Sequence, residues 1–122
     1  MHEVDMTKAL IQTVRQWWES QENGTKISAV HLIVGQFTSV EPDSLLFAFE
    51  VQTRQGFLSD AKLVITETPL IAFCHVCQLE YSPQIGSMYS CPGCGGPMED
   101  IRSGRELKID RIEYEENHAP NL

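Results

Sequence analysis

The chain has 122 residues, 42% hydrophobic and 21% charged, which suits one compact domain or a small domain carrying a smaller stapled one. Its formal net charge is -8, and the few basic residues are scattered rather than striped. Nucleic acid and anionic membrane are therefore excluded as partners, whereas protein partners and cations suit an acidic surface. No segment approaches the roughly 20 apolar residues that cross a bilayer. No basic region followed by an apolar run opens the chain either, so a cytoplasmic protein that keeps its first residues is expected.

Met6, Leu10, Val14 and Trp17, with Ile11 and Trp18 beside them, recur at helical spacing between about residue 4 and residue 20. Asp5 suits the positive end of that helix, Asn23-Gly24 stops it, and the two tryptophans read as core anchors. Residues 27–37 are rich in β-branched side chains and alternate, predicting a strand with Val30, Leu32 and Val34 on one face. His31 falls on the other face, as a strand histidine partly covered by a neighbouring helix. Glu41-Pro42-Asp43-Ser44 starts a second helix, whose apolar face is Leu46 and Phe49 with Leu45 and Phe47 adjoining; Gly56 ends it.

Lys62 to Thr68 is a second strand, closed by Pro69. Residues 70–105 are turn-rich and hold all four cysteines, and a third strand returns at 106–114, bulged near Asp110. Glu115 to Leu122 reads as a polar tail. The expected fold is α+β: two helices on a small three-stranded sheet, with an inserted zinc-ribbon module. The third strand is required, because an isolated two-stranded hairpin is marginal.

Two C-x-x-C pairs, Cys74/Cys77 and Cys91/Cys94, carry the strongest chemical signal. Zinc takes four soft ligands in a tetrahedron, and each pair supplies two thiolates from one tight turn. Pro92 presets the second turn, and Gly95 permits the backbone angles just past its second ligand. Thirteen residues separate Cys77 from Cys91, room for a short hairpin from Leu79 to Tyr89 that brings the turns together. A redox pair would need one C-x-x-C beside a βαβ pattern, and disulfides do not suit a reducing compartment. Four thiolates close the coordination sphere, so the zinc is structural. His75 reads as a turn residue that shields or hydrogen-bonds a sulfur.

The chain begins Met1-His2-Glu3. The Met1 amine, the His2 amide nitrogen and the His2 ring nitrogen close adjacent chelate rings around one ion. The amide of Glu3, or its carboxylate, completes a plane of four. Such a plane favours Ni(II) or Cu(II) over zinc. An exposed terminal histidine without a function is the bland alternative.

Several segments together resemble one family. They are Met1-His2-Glu3, Val30-His31-Leu32-Ile33-Val34-Gly35, and Pro42-Asp43-Ser44-Leu45-Leu46-Phe47-Ala48-Phe49-Glu50. With them go Cys74-His75-Val76-Cys77, Cys91-Pro92-Gly93-Cys94-Gly95 and Ser103-Gly104-Arg105-Glu106-Leu107. In this order they resemble the HypA/HybF family of hydrogenase nickel-incorporation proteins across nearly the whole chain.

The resemblance implies a metallochaperone that carries nickel at His2, with backbone nitrogens of Met1, His2 and Glu3, and holds zinc at Cys74, Cys77, Cys91 and Cys94. Residues 1–69 and 106–122 would form the nickel-binding α/β domain and residues 70–105 the zinc-binding domain. Its implied partners are the nickel-handling GTPase HypB, the large subunit of a nickel-iron hydrogenase, and urease maturation proteins in some cases. Glu41 stands where some relatives have an acidic residue near the nickel, and Gln36 departs from a glutamate common in the family. The function implied is nickel delivery rather than catalysis, since no nucleophile motif or phosphate-cradling loop occurs. The rival reading is a zinc-ribbon adaptor that transports no metal.

Overall fold

The computed structural model describes residues 2–21 and 24–115, with His2 described by its backbone alone. Met1, the His2 side chain, Glu22, Asn23 and the segment 116–122 lie outside the described residues. Helix α1 (His2–Glu19) is followed by β1 (Lys26–Gly35), a 3-10 turn at Gln36–Thr38, helix α2 (Pro42–Gln52) and β2 (Lys62–Thr68). The cysteine-bearing half has β3 (Ile71–Cys74), β4 (Leu79–Tyr81), a 3-10 turn at Ile85–Ser87 and β5 (Asp100–Ser103), before β6 (Leu107–Glu115). Two three-stranded sheets result, ordered β2-β1-β6 and β4-β3-β5. No helix among the described residues is long and apolar enough to cross a membrane.

Helix α1 starts earlier than periodicity predicts, because Glu3 and Asp5 both place negative charge in its first turn. Its inward stripe includes Leu10 and Val14, and also Thr7, which is fully buried. The Thr7 hydroxyl donates to the Glu3 carbonyl at 2.6 Å, so its burial leaves no polar atom unpaired. Trp17 and Trp18 are half-buried rather than central. Trp17 meets Tyr114 of β6 edge-on, and the Trp18 ring N–H donates to the Thr25 carbonyl at 2.6 Å.

Strand β1 buries Val30, Leu32 and Val34 as its alternation predicts. His31, on the other face, bonds Glu113 of β6 at 3.0 Å. In α2, Pro42 stands in the first turn after Glu41. The inward stripe is Leu45, Ala48 and Phe49; Leu46, expected on it, is left 38% exposed. Helix α2 ends at Gln52, and Gly56, with φ +100°, turns the chain four residues later.

The chain contacts cluster into two compact units, residues 1–32, 40–65 and 109–122 in one and residues 33–39 and 66–108 in the other. In the second unit, Ala72 pairs with Tyr81 on one side and Ile101 on the other. The expected Leu79–Tyr89 hairpin is replaced: Leu79–Tyr81 folds back onto β3, opposite Cys74–Ala72. The turn at Cys74–Cys77 is itself the hairpin loop, and Pro83 ends the returning strand.

The same unit contains a close crossing. A Cβ on Gly35 would lie 2.1 Å from the carbonyl of Gly104, and one on Gly104 would lie 2.6 Å from the Leu70 Cα. Hydrogen bonds lace this crossing. The Gly35 N–H donates to the Glu106 carbonyl at 2.7 Å and the Phe37 N–H to the Gly104 carbonyl at 2.8 Å. Gln36 takes part through its side-chain oxygen, which accepts the Leu70 N–H at 3.2 Å.

Candidate metal sites

Two turns of like construction present the four cysteines. In the first, the Gln78 N–H donates to the Cys74 carbonyl at 2.7 Å; in the second, the Gly95 N–H donates to the Cys91 carbonyl at 2.7 Å. The residue closing each turn has a left-handed backbone, Gln78 with φ 59° and Gly95 with φ 73°. Gly95 is legible in sequence as the residue that tolerates this conformation, whereas Gln78 has no such signal. Gly93 leaves little space for a side chain, since a Cβ there would lie 3.0 Å from the Cys77 sulfur.

The four sulfurs lie within 4.8 Å of one another. Cys74 and Cys94 are 3.6 Å apart, and Cys77 and Cys91 are 3.8 Å apart. A tetrahedron with Zn–S bonds of about 2.3 Å places its sulfurs about 3.8 Å apart. Two sulfur pairs already match that spacing, and the cluster fits zinc with at most a small inward movement of the remaining sulfurs. Backbone N–H groups already point at the sulfurs: Cys77 N–H to the Cys74 sulfur at 3.4 Å, and Gly93 N–H to the Cys91 sulfur at 3.3 Å.

These contacts separate the thiols electrostatically. Backbone N–H groups, that of Cys94 first, bring the Cys91 thiol down to about 7. Crowding by Cys91 and then Cys94 pushes the Cys77 thiol up to about 12. Four thiolates at this distance need a cation among them, and a divalent ion displaces the remaining protons.

His75 does not bond a sulfur. Its ring nitrogen meets the Asp100 carboxylate at 2.8 Å, and its ring packs edge-on against Phe73. Asp100 also accepts from Arg102 at 2.9 Å, and these two partners, Arg102 first, hold its carboxyl below the usual range. The pair ties the first cysteine turn to β5.

At the other candidate site, α1 is helical from His2. Glu3 is described, and its carboxylate accepts the Glu41 N–H at 3.3 Å, which joins the starts of α1 and α2. Glu41 is therefore beside Glu3 through its backbone. The Gln52 amide donates to the Val4 carbonyl at 3.4 Å and fastens the same first turn. The Met1 amine and the His2 ring lie outside the described residues.

Residues 1–114 match the family described as hydrogenase/urease nickel incorporation, metallochaperone, hypA. The chain is 65% identical over 114 residues to the guanidine hydrolase-activating protein A of Synechocystis sp., covering 93% of this chain and 95% of that protein. It is 64% identical over 115 residues to the hydrogenase maturation factor HypA of Synechococcus sp., covering 94% and 87% respectively. The solution structure of the Ni metallochaperone HypA from Helicobacter pylori has the same fold, with a TM-score of 0.65 at 20% identity over 94% of this chain and 98% of that one. By the match over 114 residues and the shared fold, the chain belongs to the HypA family of nickel metallochaperones, maturation factors with a structural zinc site and nickel as cargo.

Proposed function

We propose that this chain carries one Ni(II) at its N-terminus, on the Met1 amine, the His2 amide and ring nitrogens and a donor from Glu3. Zinc at Cys74, Cys77, Cys91 and Cys94 then fixes the fold of the second half. The supporting observation is that α1 begins at His2. The first N–H groups of a helix take no part in its own i to i−4 ladder, so a metal held at its first residues does not compete with that ladder. Residues 1–69 and 106–122 act as the nickel-binding domain and residues 70–105 as the zinc-binding domain. The chain works in the cytoplasm and transfers its ion rather than catalysing a reaction.

The GTPase HypB is the nickel-handling partner, and the recipient is the large subunit of a nickel-iron hydrogenase or, through urease maturation proteins, urease. A second recipient is favoured by a specific observation. The 65% identical relative is named for activating guanidine hydrolase, so an enzyme of that kind is the alternative client. Incubating the nickel-loaded chain with each nickel-free recipient, and measuring the metal acquired, distinguishes the two.

The site itself is tested by titrating Ni(II) into the zinc-loaded protein beside a His2→Ala variant. One equivalent bound by the parent, with a square-planar absorption band missing from the variant, is the expected outcome. Equal binding by both, or binding by neither, returns the chain to the zinc-ribbon adaptor reading. Adding one residue ahead of Met1 provides a further check, because it displaces the amine from its chelate ring and should abolish binding.

A further inference from the structure

Helix α2 gives its Leu45, Ala48 and Phe49 side chains to the core and leaves Phe47 65% and Val51 42% exposed. Val4 of α1 is 36% exposed. These three side chains help line a groove of about 640 Å³ between the two helices, with Glu3, Lys8 and Asp43 also lining it. Hydrogen bonds fasten the groove at the end nearest the N-terminus. There Glu3 is tied to the Glu41 N–H, Val4 to Gln52, and the Glu3 carbonyl to buried Thr7.

We infer that this groove is where the nickel-receiving protein docks, by seating an apolar helix that carries a Lys or Arg at the end facing Glu3 and Asp43. The inference rests on the reading of Met1 and His2 as the cargo site. Three properties support it. First, an aromatic side chain left this exposed beside other apolar groups is the usual anchor of a helix-in-groove contact. Phe47 and Val51 lie four residues apart, one turn along the same face. Second, two carboxylates and a single ammonium line the groove, on a chain of net charge -8, so a basic flank on the partner is complementary. A second copy of this chain would instead bring the same excess of carboxylate rather than a basic flank. Third, Glu3 and Val4 directly follow His2 in the same helical turn. A recipient seated there brings its own donors alongside the carried ion, which can pass between donor sets without release into solvent.

The test uses zinc-loaded, nickel-loaded full chain with each of the two nickel-free recipients, the hydrogenase large-subunit precursor and the guanidine hydrolase. Binding is measured by calorimetry and transfer by the nickel acquired. Phe47→Ala should weaken the complex about ten-fold or more and slow transfer, while its own nickel affinity stays that of the parent. Asp43→Lys should slow association and flatten its dependence on salt. Both positions are exposed, and circular dichroism establishes that each variant is folded. Parent-like binding and transfer by both variants would overturn the docking surface and leave the cargo site standing. So would binding of neither recipient by the parent, or a parent dimer that Phe47→Ala dissolves. If parent and His2→Ala take up nickel alike, the cargo site fails, and the docking role falls with it.

Discussion

Single residues in this protein are constrained mainly by backbone proximity. Gly35 meets the Gly104 carbonyl so closely that any side chain must push two backbone segments apart. Gly35→Ala should therefore cost about 3 kcal/mol, read from thermal unfolding, whereas Gly86→Ala, whose Cβ would meet nothing within 4 Å, should cost far less. Glu106 makes a different argument. Its carboxylate accepts the Gly104 N–H at 2.6 Å and the Thr68 hydroxyl at 3.1 Å. Backbone N–H groups, its own first, hold its carboxyl below the ordinary value of 4.5 despite desolvation. A carboxyl depressed in the folded state stabilises that state above its unfolded pKa, and the contribution is lost as pH falls through the folded pKa. Acid should consequently weaken this crossing, and Glu106→Gln should be less stable than the parent at neutral pH but converge with it as pH falls through the folded pKa of Glu106. Denaturant titrations at neutral pH and at successively more acid pH check the sign.

At the scale of elements, the two halves depend on different forces. Helix α2 is anchored by burial, and Leu45 is 1% exposed. Leu45→Ala should cost about 3 kcal/mol, measurable by urea unfolding, because it opens a cavity in a closed core. The β4-β3-β5 sheet has short strands of three and four residues and buries little beyond Leu70, Ala72 and Cys91. Such a sheet needs its metal, since metal binding free energy is here folding free energy. Cys91→Ala should expose residues 70–105 to protease while fragments spanning α1 and α2 remain protected. A variant as resistant as the parent would show that the cysteine cluster does not hold this region.

For the whole molecule, the proposed function divides the metals between a closed site and an open one. Four thiolates leave zinc no position for a further ligand, so its removal is a folding event. The proposed nickel chelate is built at a helix start from nitrogens that must lose protons, so its affinity should fall as pH is lowered from 8 towards 6. Competition with a chelator whose own pH dependence is known checks this. The zinc-loaded chain should stay folded throughout, since nickel release and loss of zinc are separate equilibria.

Much of this protein was legible in its residues alone. The strands and helices follow from spacing: Val30, Leu32 and Val34 alternate inward as expected, and Pro42 stands at the start of its helix. The cysteine spacing and Gly95 specify a four-sulfur cluster because ligand chemistry and turn chemistry are local. What spacing does not carry is decided by packing between distant segments. The choice of Leu45 over Leu46 for the core depends on which face of α2 meets its neighbours. The second sheet exists because a cysteine turn folds β4 onto β3, and β5 arrives from about thirty residues further on. Thr7 is buried because its hydroxyl can satisfy the helix backbone, and Gly104 is required because Leu70 passes beside it. Local chemistry therefore determined the four-cysteine cluster and most elements, while tertiary structure alone decided which side chains are enclosed, which backbones touch, and where an apolar groove is left open.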